Sequence, residues 1–210
     1  MAPHSPAEQG DVHALIEAQL RECYGRVVYS HKTHEKCADI LLSRLSGIKL
    51  WQIILSSVTT AGFLGVILGL GTVGAVAGAV VATTLLVLNA YTKNYDLGEL
   101  AQKHRQAAAE LWMLREKYLA LITDLRVGES SLEDLAKRRD DILEDLHAVY
   151  SGAPSTTFKA YKKAQEAIQQ HDEMSFTDEE IDKLLPKALK KRPIEPVANT
   201  PLKGPPSTPA

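Results

Sequence analysis

LWQIILSSVTTAGFLGVILGLGTVGAVAGAVVATTLLVLNAYT, residues 50–92, lies between Lys49 and Lys93 without one charged side chain, and a glycine-rich break, Gly69-Leu70-Gly71-Thr72, interrupts it near the middle. One membrane helix needs roughly 20 apolar residues, so the run has the length of two spans joined by a very tight turn. Trp51 to Gly69 and Thr72 to Tyr91 each come close to the roughly 30 Å hydrocarbon thickness at about 1.5 Å rise per residue, with almost nothing left for a loop. The stretch predicts a transmembrane helical hairpin.

Two other uses of the same residues are weaker. A soluble, buried helix pair would carry Gly62, Gly65, Gly69, Gly71, Gly74 and Gly78 at a cost of roughly 1 kcal/mol for each glycine inside a helix, whereas membrane helices use small residues to approach closely. A cleavable secretory signal is disfavoured because the apolar run begins only at Leu50, after a long polar segment. Gly69-Leu70-Gly71-Thr72-Val73-Gly74 also matches G-x-G-x-x-G, but a dinucleotide site requires an acidic residue about twenty positions on and further strand–helix units. Asn89 stands near that position, Asp96 comes late, and no later segment alternates like a strand. The glycines are therefore assigned to the turn and to packing.

Basic residues near the spans set the orientation. Lys32, Lys36, Arg44 and Lys49 precede the first span, Lys93, Lys103 and Arg105 follow the second, and the connection has none. Both termini are expected on the cytoplasmic side of the membrane, with Trp51, Tyr91 and Tyr95 at that interface. The near-neutral charge of the chain, −2, gives no bias toward nucleic acid, which is not expected as a partner. Cys23 and Cys37, fourteen positions apart, are separated by roughly 21 Å on one helix and are expected as reduced thiols.

Outward from the hairpin the pattern is helical throughout, which predicts an all-α membrane protein whose two-span hairpin continues into a cytoplasmic coiled-coil-like stalk. Residues 1–10 are expected to be loose, although Ser5-Pro6-Ala7-Glu8 offers a helix start. Over 11–49, Ile16, Leu20, Cys23, Val27, His34, Ala38, Leu41, Leu45 and Ile48 recur mostly every three or four positions, with one gap at Ser30. After the hairpin (50–92, spans 51–69 and 72–91), Leu97, His104, Leu111, Tyr118 and Leu125 fall seven apart, and Leu100, Ala107, Leu114 and Leu121 interleave. With no proline between Tyr91 and Leu97, the second span is expected to run straight into this seam and to end near Val127-Gly128.

The stalk and a return helix occupy 93–152. The return helix opens at Ser130 or Ser131, carries Leu132, Leu135, Ile142, Leu146 and Val149, and folds back on the stalk. Within 153–186, a short helix over 156–170 has Tyr161, Ala164 and Ile168 on one side, and Thr177-Asp178-Glu179-Glu180 opens a last helix that ends before Pro186. The Pro-rich tail, 187–210, is expected to be disordered, with Lys187, Lys190, Lys191 and Arg192 as part of a solvated linker rather than a lipid-binding patch.

Chemistry-bearing motifs are scarce. His31, His34 and Glu35 can share a helix face, but Lys32 and Lys36 crowd them and a fourth zinc ligand is missing, so no metal site is assigned and no cofactor is expected. No nucleophile elbow, catalytic carboxylate pair or P-loop occurs, and the chain is not expected to be an enzyme. Within the bilayer, Gln52, Ser56, Thr59 and Phe63 share one side of the first span, well over 90° from Gly62, Gly65 and Gly69. The glycine face suits the second span through Gly74, Gly78 and Ala82. The polar stripe, with Asn89, needs protein or water opposite it. Two helices cannot enclose water, so Gln52, Ser56 and Thr59 are expected to line a pore among several hairpins, assembled through the stalk seam of Leu97, Leu100, Leu111, Leu114, Tyr118 and Leu121. No charged ring lines it, so weak ion selectivity is expected.

The helix carrying His31-Lys32-Thr33-His34-Glu35-Lys36, the glycine-turned hairpin, and Phe176-Thr177-Asp178-Glu179-Glu180-Ile181 leading to Leu184-Leu185-Pro186 together resemble the SLATT family, over roughly residues 10–190. These are bacterial two-transmembrane effector domains associated with nucleotide-signalling and other conflict systems. The resemblance implies antiviral defence through membrane pores that arrest or kill the infected cell. It also implies a trigger from a separate sensor protein or nucleotide signal. The alternative function is a membrane-anchored scaffold that recruits a cytoplasmic partner.

Overall fold

α1 (Pro6–Ile67) is one unbroken helix of 62 residues, about 93 Å long at 1.5 Å per residue. Gly47, a weak helix former just before the first span, does not interrupt it. The structure is a computed structural model that describes residues 6–67, 69, 71–128, 130–170 and 173–186. The Ser5 cap, the Pro-rich tail and its basic cluster lie outside the described residues. Residues 6–10, expected to be loose, are the opening turns of α1, and Pro6 suits the first helical position because its missing N–H has no partner there.

α2 (Gly71–Asn94) returns alongside the end of α1. Gly69 in the connection has φ 101° and Gly71, the first residue of α2, has φ 65°, backbone states that glycine reaches without a Cβ clash. Not one residue of α2 is buried. Val73, Val76, Val80, Leu86 and Val87 are each more than half exposed, as are Ile53, Phe63 and Ile67 on α1. Water would penalise so much open apolar surface, and a hydrocarbon environment removes the penalty. The chain is an all-helical membrane protein with a two-span hairpin.

α3 (Leu97–Val127) is a separate helix, not a continuation of α2. Asp96 breaks the run: its backbone leaves helical geometry (φ −75°, ψ 86°) and its side chain accepts a hydrogen bond from the Glu99 N–H at 2.8 Å. The expectation of one continuous helix failed because an N-cap aspartate can start a new helix without any proline or glycine. α3 ends at Gly128, which takes the left-handed conformation. α4 (Leu132–Gly152), capped by Ser131, folds back on α3, and α5 (Phe158–Gln170) lies on α1.

The seam of α3 is filled within the protomer by α1. Leu97, Leu111, Leu114, Tyr118 and Leu121 are buried, together with Leu125 and the small Ala101, Ala107 and Ala108, while Leu100 is 37% exposed. Leu20 and Val27 of α1 and Leu135 and Ile142 of α4 complete this core, with Ile16, Cys23, Leu132, Leu146 and Val149 at its margin. Ion pairs join helices at the rim: Arg126 with Glu17 at 2.6 Å, Arg105 with Asp39 at 2.9 Å, and Lys117 with Asp145 at 2.7 Å. All lie at the protein surface, where solvent screening leaves such pairs little net stabilisation.

α5 buries Ala160, Ala164 and Ala167, whereas Tyr161 is 42% exposed. The buried face is thus the alanine face, rotated from the one marked by Tyr161, Ala164 and Ile168, because small side chains let α5 approach α1 closely. Its cover explains why Val28, Thr33 and Cys37 of α1, off the main stripe, are also buried. A second unit, 171–210, contains α6 (Asp178–Leu184), which opens with a capping box in which Thr177 and Glu180 satisfy each other's backbone N–H.

Candidate functional site

Gln52 lies near the start of the first span and reaches across the hairpin. Its Nε2 donates to Asn89 Oδ1 at 2.9 Å and to Thr92 Oγ1 at 3.3 Å. Polar groups here have no water to fall back on, so two polar side chains that face each other across the spans satisfy one another. The pairing places Gln52 at the contact between α1 and α2.

Thr59, about two turns further on, donates its hydroxyl to the Leu55 carbonyl at 2.8 Å. Ser57, Thr60, Thr83 and Thr84 bond back to their own helices in the same way. Ser56 is exposed on the outside of the hairpin. Lys49, Gln52, Ser56, Ser57 and Asn89, with Ile53 and Leu85, line an open recess of about 540 Å³ on that side. The stripe is thereby divided: Gln52 and Ser56 border the recess, and Thr59 lies beyond it.

Thr59 instead lines a second recess with Gly62, Phe63, Gly74 and Gly78, about 310 Å³ in volume. Gly65 is buried. At Gly62 and Gly78 an added methyl group would meet no atom within 4 Å. The glycines therefore leave a slot along the hairpin at these two positions instead of bringing the backbones into closest contact. Gly69 belongs to the connection.

The histidines flagged in the sequence separate. His34 turns to α3, where its Nδ1 lies 3.0 Å from Nδ1 of His104, with ring centroids 5.0 Å apart. His31 stays with Glu35, Nε2 to Oε1 at 3.6 Å, and Lys32 Nζ meets the other oxygen of Glu35 at 2.9 Å. Burial, then the neighbouring His104 and His31, depress His34 to about 4, and burial also lowers His104. The His31 imidazole beside it, aided by Lys32, holds Glu35 down at about 2. Among the described residues, no three His, Cys, Asp or Glu side chains converge as a metal-ligand set. His104 was visible as a seam residue, but nothing local marked it as the partner of His34.

No curated protein and no solved structure matches the chain. The model of the SMODS and SLOG-associating 2TM effector domain family 4 matches residues 16–180, which takes in the hairpin, the α1–α3–α4 core and α5. The chain belongs to this family of two-transmembrane effector domains, one associated with conflict and defence systems.

Proposed function

We propose that this protein is a homo-oligomeric, pore-forming effector of the bacterial inner membrane, with both termini cytoplasmic, which permeabilises the membrane in antiviral defence. A separate sensor protein or nucleotide signal releases it. The recess beside Gln52, Ser56, Ser57 and Asn89 carries this function: it opens sideways from a two-helix hairpin, where only lipid or another copy can stand. Lipid tails offer no hydrogen bonds, so these polar groups favour a neighbouring hairpin and water over hydrocarbon. Ser56 is nearest the lumen, Gln52 fixes the hairpin at its border, and Thr59 contributes from deeper in the span.

Induced expression should depolarise the inner membrane, read with a potential-sensitive dye. Ser56→Leu should abolish the depolarisation while leaving membrane insertion and subunit number unchanged. Full conduction by Ser56→Leu would remove this residue from the pathway, and an unchanged potential with abundant oligomer would remove the pore. A second function, a membrane-anchored scaffold, is favoured by Trp112 and Met113, adjacent on α3 and 47% and 52% exposed. It predicts that both spans can be replaced by an unrelated hairpin without loss of activity.

A further inference from the structure

Beside the His34–His104 pair, α1, the end of α4, the connector after it and α5 enclose a cavity of about 330 Å³. That volume lies at the lower end of the range for small-molecule sites. Three tyrosines line it: Tyr29 and Tyr161 present rings with centroids 6.1 Å apart, and Tyr150 has its hydroxyl 2.7 Å from Ser30 Oγ. Pro154 supplies a rigid apolar edge on the connector.

The hydrogen-bonding state of the walls defines what fits. Tyr29 Oη accepts from Gln169 Nε2 at 2.9 Å, so its own proton remains to be donated. Thr33 donates to the Tyr29 carbonyl at 2.7 Å, so its oxygen remains an acceptor. His34 has one ring nitrogen committed to His104 and is kept uncharged by burial. Among the described residues, none that lines the cavity carries a formal charge. A carboxylate or phosphate placed here would lose its hydration without a cation to replace it, whereas a neutral group that both donates and accepts would be matched.

We infer that this cavity is a binding site for a small, uncharged, planar aromatic molecule bearing an amide-like group, held between the Tyr29, Tyr150 and Tyr161 rings and bonded by Tyr29, Thr33 and His34. Such a ligand would tie the α4–α5 connector to α1, the unbroken helix that becomes the first span. The site stands independently of the pore.

The test uses the full chain in lipid nanodiscs, with 4-fluorobenzamide and its charged isostere 4-fluorobenzoate as ¹⁹F NMR probes and empty nanodiscs as the partitioning control. The amide resonance should broaden beyond the control and recover on addition of unlabelled benzamide, and the benzoate should bind at least tenfold more weakly. Ala153→Leu, which fills the cavity from the connector, and Tyr161→Leu, which removes one ring from the exposed side, should each abolish the broadening while circular dichroism stays unchanged. Equal binding of the two probes, broadening that survives both variants, or no broadening beyond the control up to about 10 mM amide would overturn the inference.

Discussion

His34 and His104 bring two imidazoles to 3.0 Å in the interface between α1 and α3, where both are almost fully buried. With His34 held at about 4 against an ordinary value of 6.5, the unfolded chain binds its proton more readily than the folded one throughout that interval. Stability from this group is therefore complete above pH 6.5 and falls as the solution is acidified toward 4, by up to about 1.4 kcal/mol per pH unit. Glu35, held at about 2, has the same sign but acts only below its ordinary 4.5, outside most of that window. Melting followed by circular dichroism between pH 7.5 and 5 should show the loss in the native protein and a flatter profile in His34→Gln; parallel profiles would exclude His34 as its source. Gln52 makes a comparable commitment inside the membrane, and Gln52→Leu should weaken the hairpin by roughly 0.6–2 kcal/mol in an SDS unfolding titration. Both residues were recognisable as chemically unusual in the sequence. Asn89 and His104 were visible too, one as a polar residue in the second span and one in the seam, but the pairings were not, because the partners lie 37 and 70 positions away.

Among the elements, α1 and α2 show how far local pattern reaches. The charge-free run marks both spans, Ser131 and Thr177 mark the starts of α4 and α6, and the alternation of three and four marks the inner face of α1. Asp96 escaped because an aspartate between a tyrosine and a leucine is an N-cap only if the chain turns there, which depends on how α3 packs against α1. The glycines of the hairpin illustrate the same limit. Spacing gives them a common face, yet Gly62 and Gly78 border a slot where a methyl group meets nothing. Gly78→Ala should accordingly keep the hairpin intact or stabilise it by up to about 1 kcal/mol, since alanine is the better helix former. An SDS unfolding midpoint lowered by the substitution would show that the spans approach more closely at this point.

For the molecule as a whole, the main consequence is that the α3 seam is already occupied. Leu111, Leu114, Tyr118 and Leu121 pack against α1 and α4 of their own chain, so they are not free to join copies, and the homo-oligomer proposed above would have to form through the hairpin and the outer faces. Leu114→Ala should lower the stability of the α1–α3–α4 core by about 2–5 kcal/mol, as cavity-forming changes in a packed core do, without changing any subunit number found under native conditions. Dissociation of the oligomer with unaltered melting would return the seam to an intermolecular role.

The sequence alone determined that this is a helical membrane protein with a two-span hairpin, because a long uncharged apolar run and three-to-four periodicity are local properties that lipid and the helix geometry read directly. Only the tertiary structure decided what covers each face: α1 filling the α3 seam, the alanines of α5 on a second face of α1, Gln52 on Asn89, and His34 on His104. An amphipathic helix specifies that a face must be buried but not by which neighbour, and that choice is made by contacts between residues far apart in the chain.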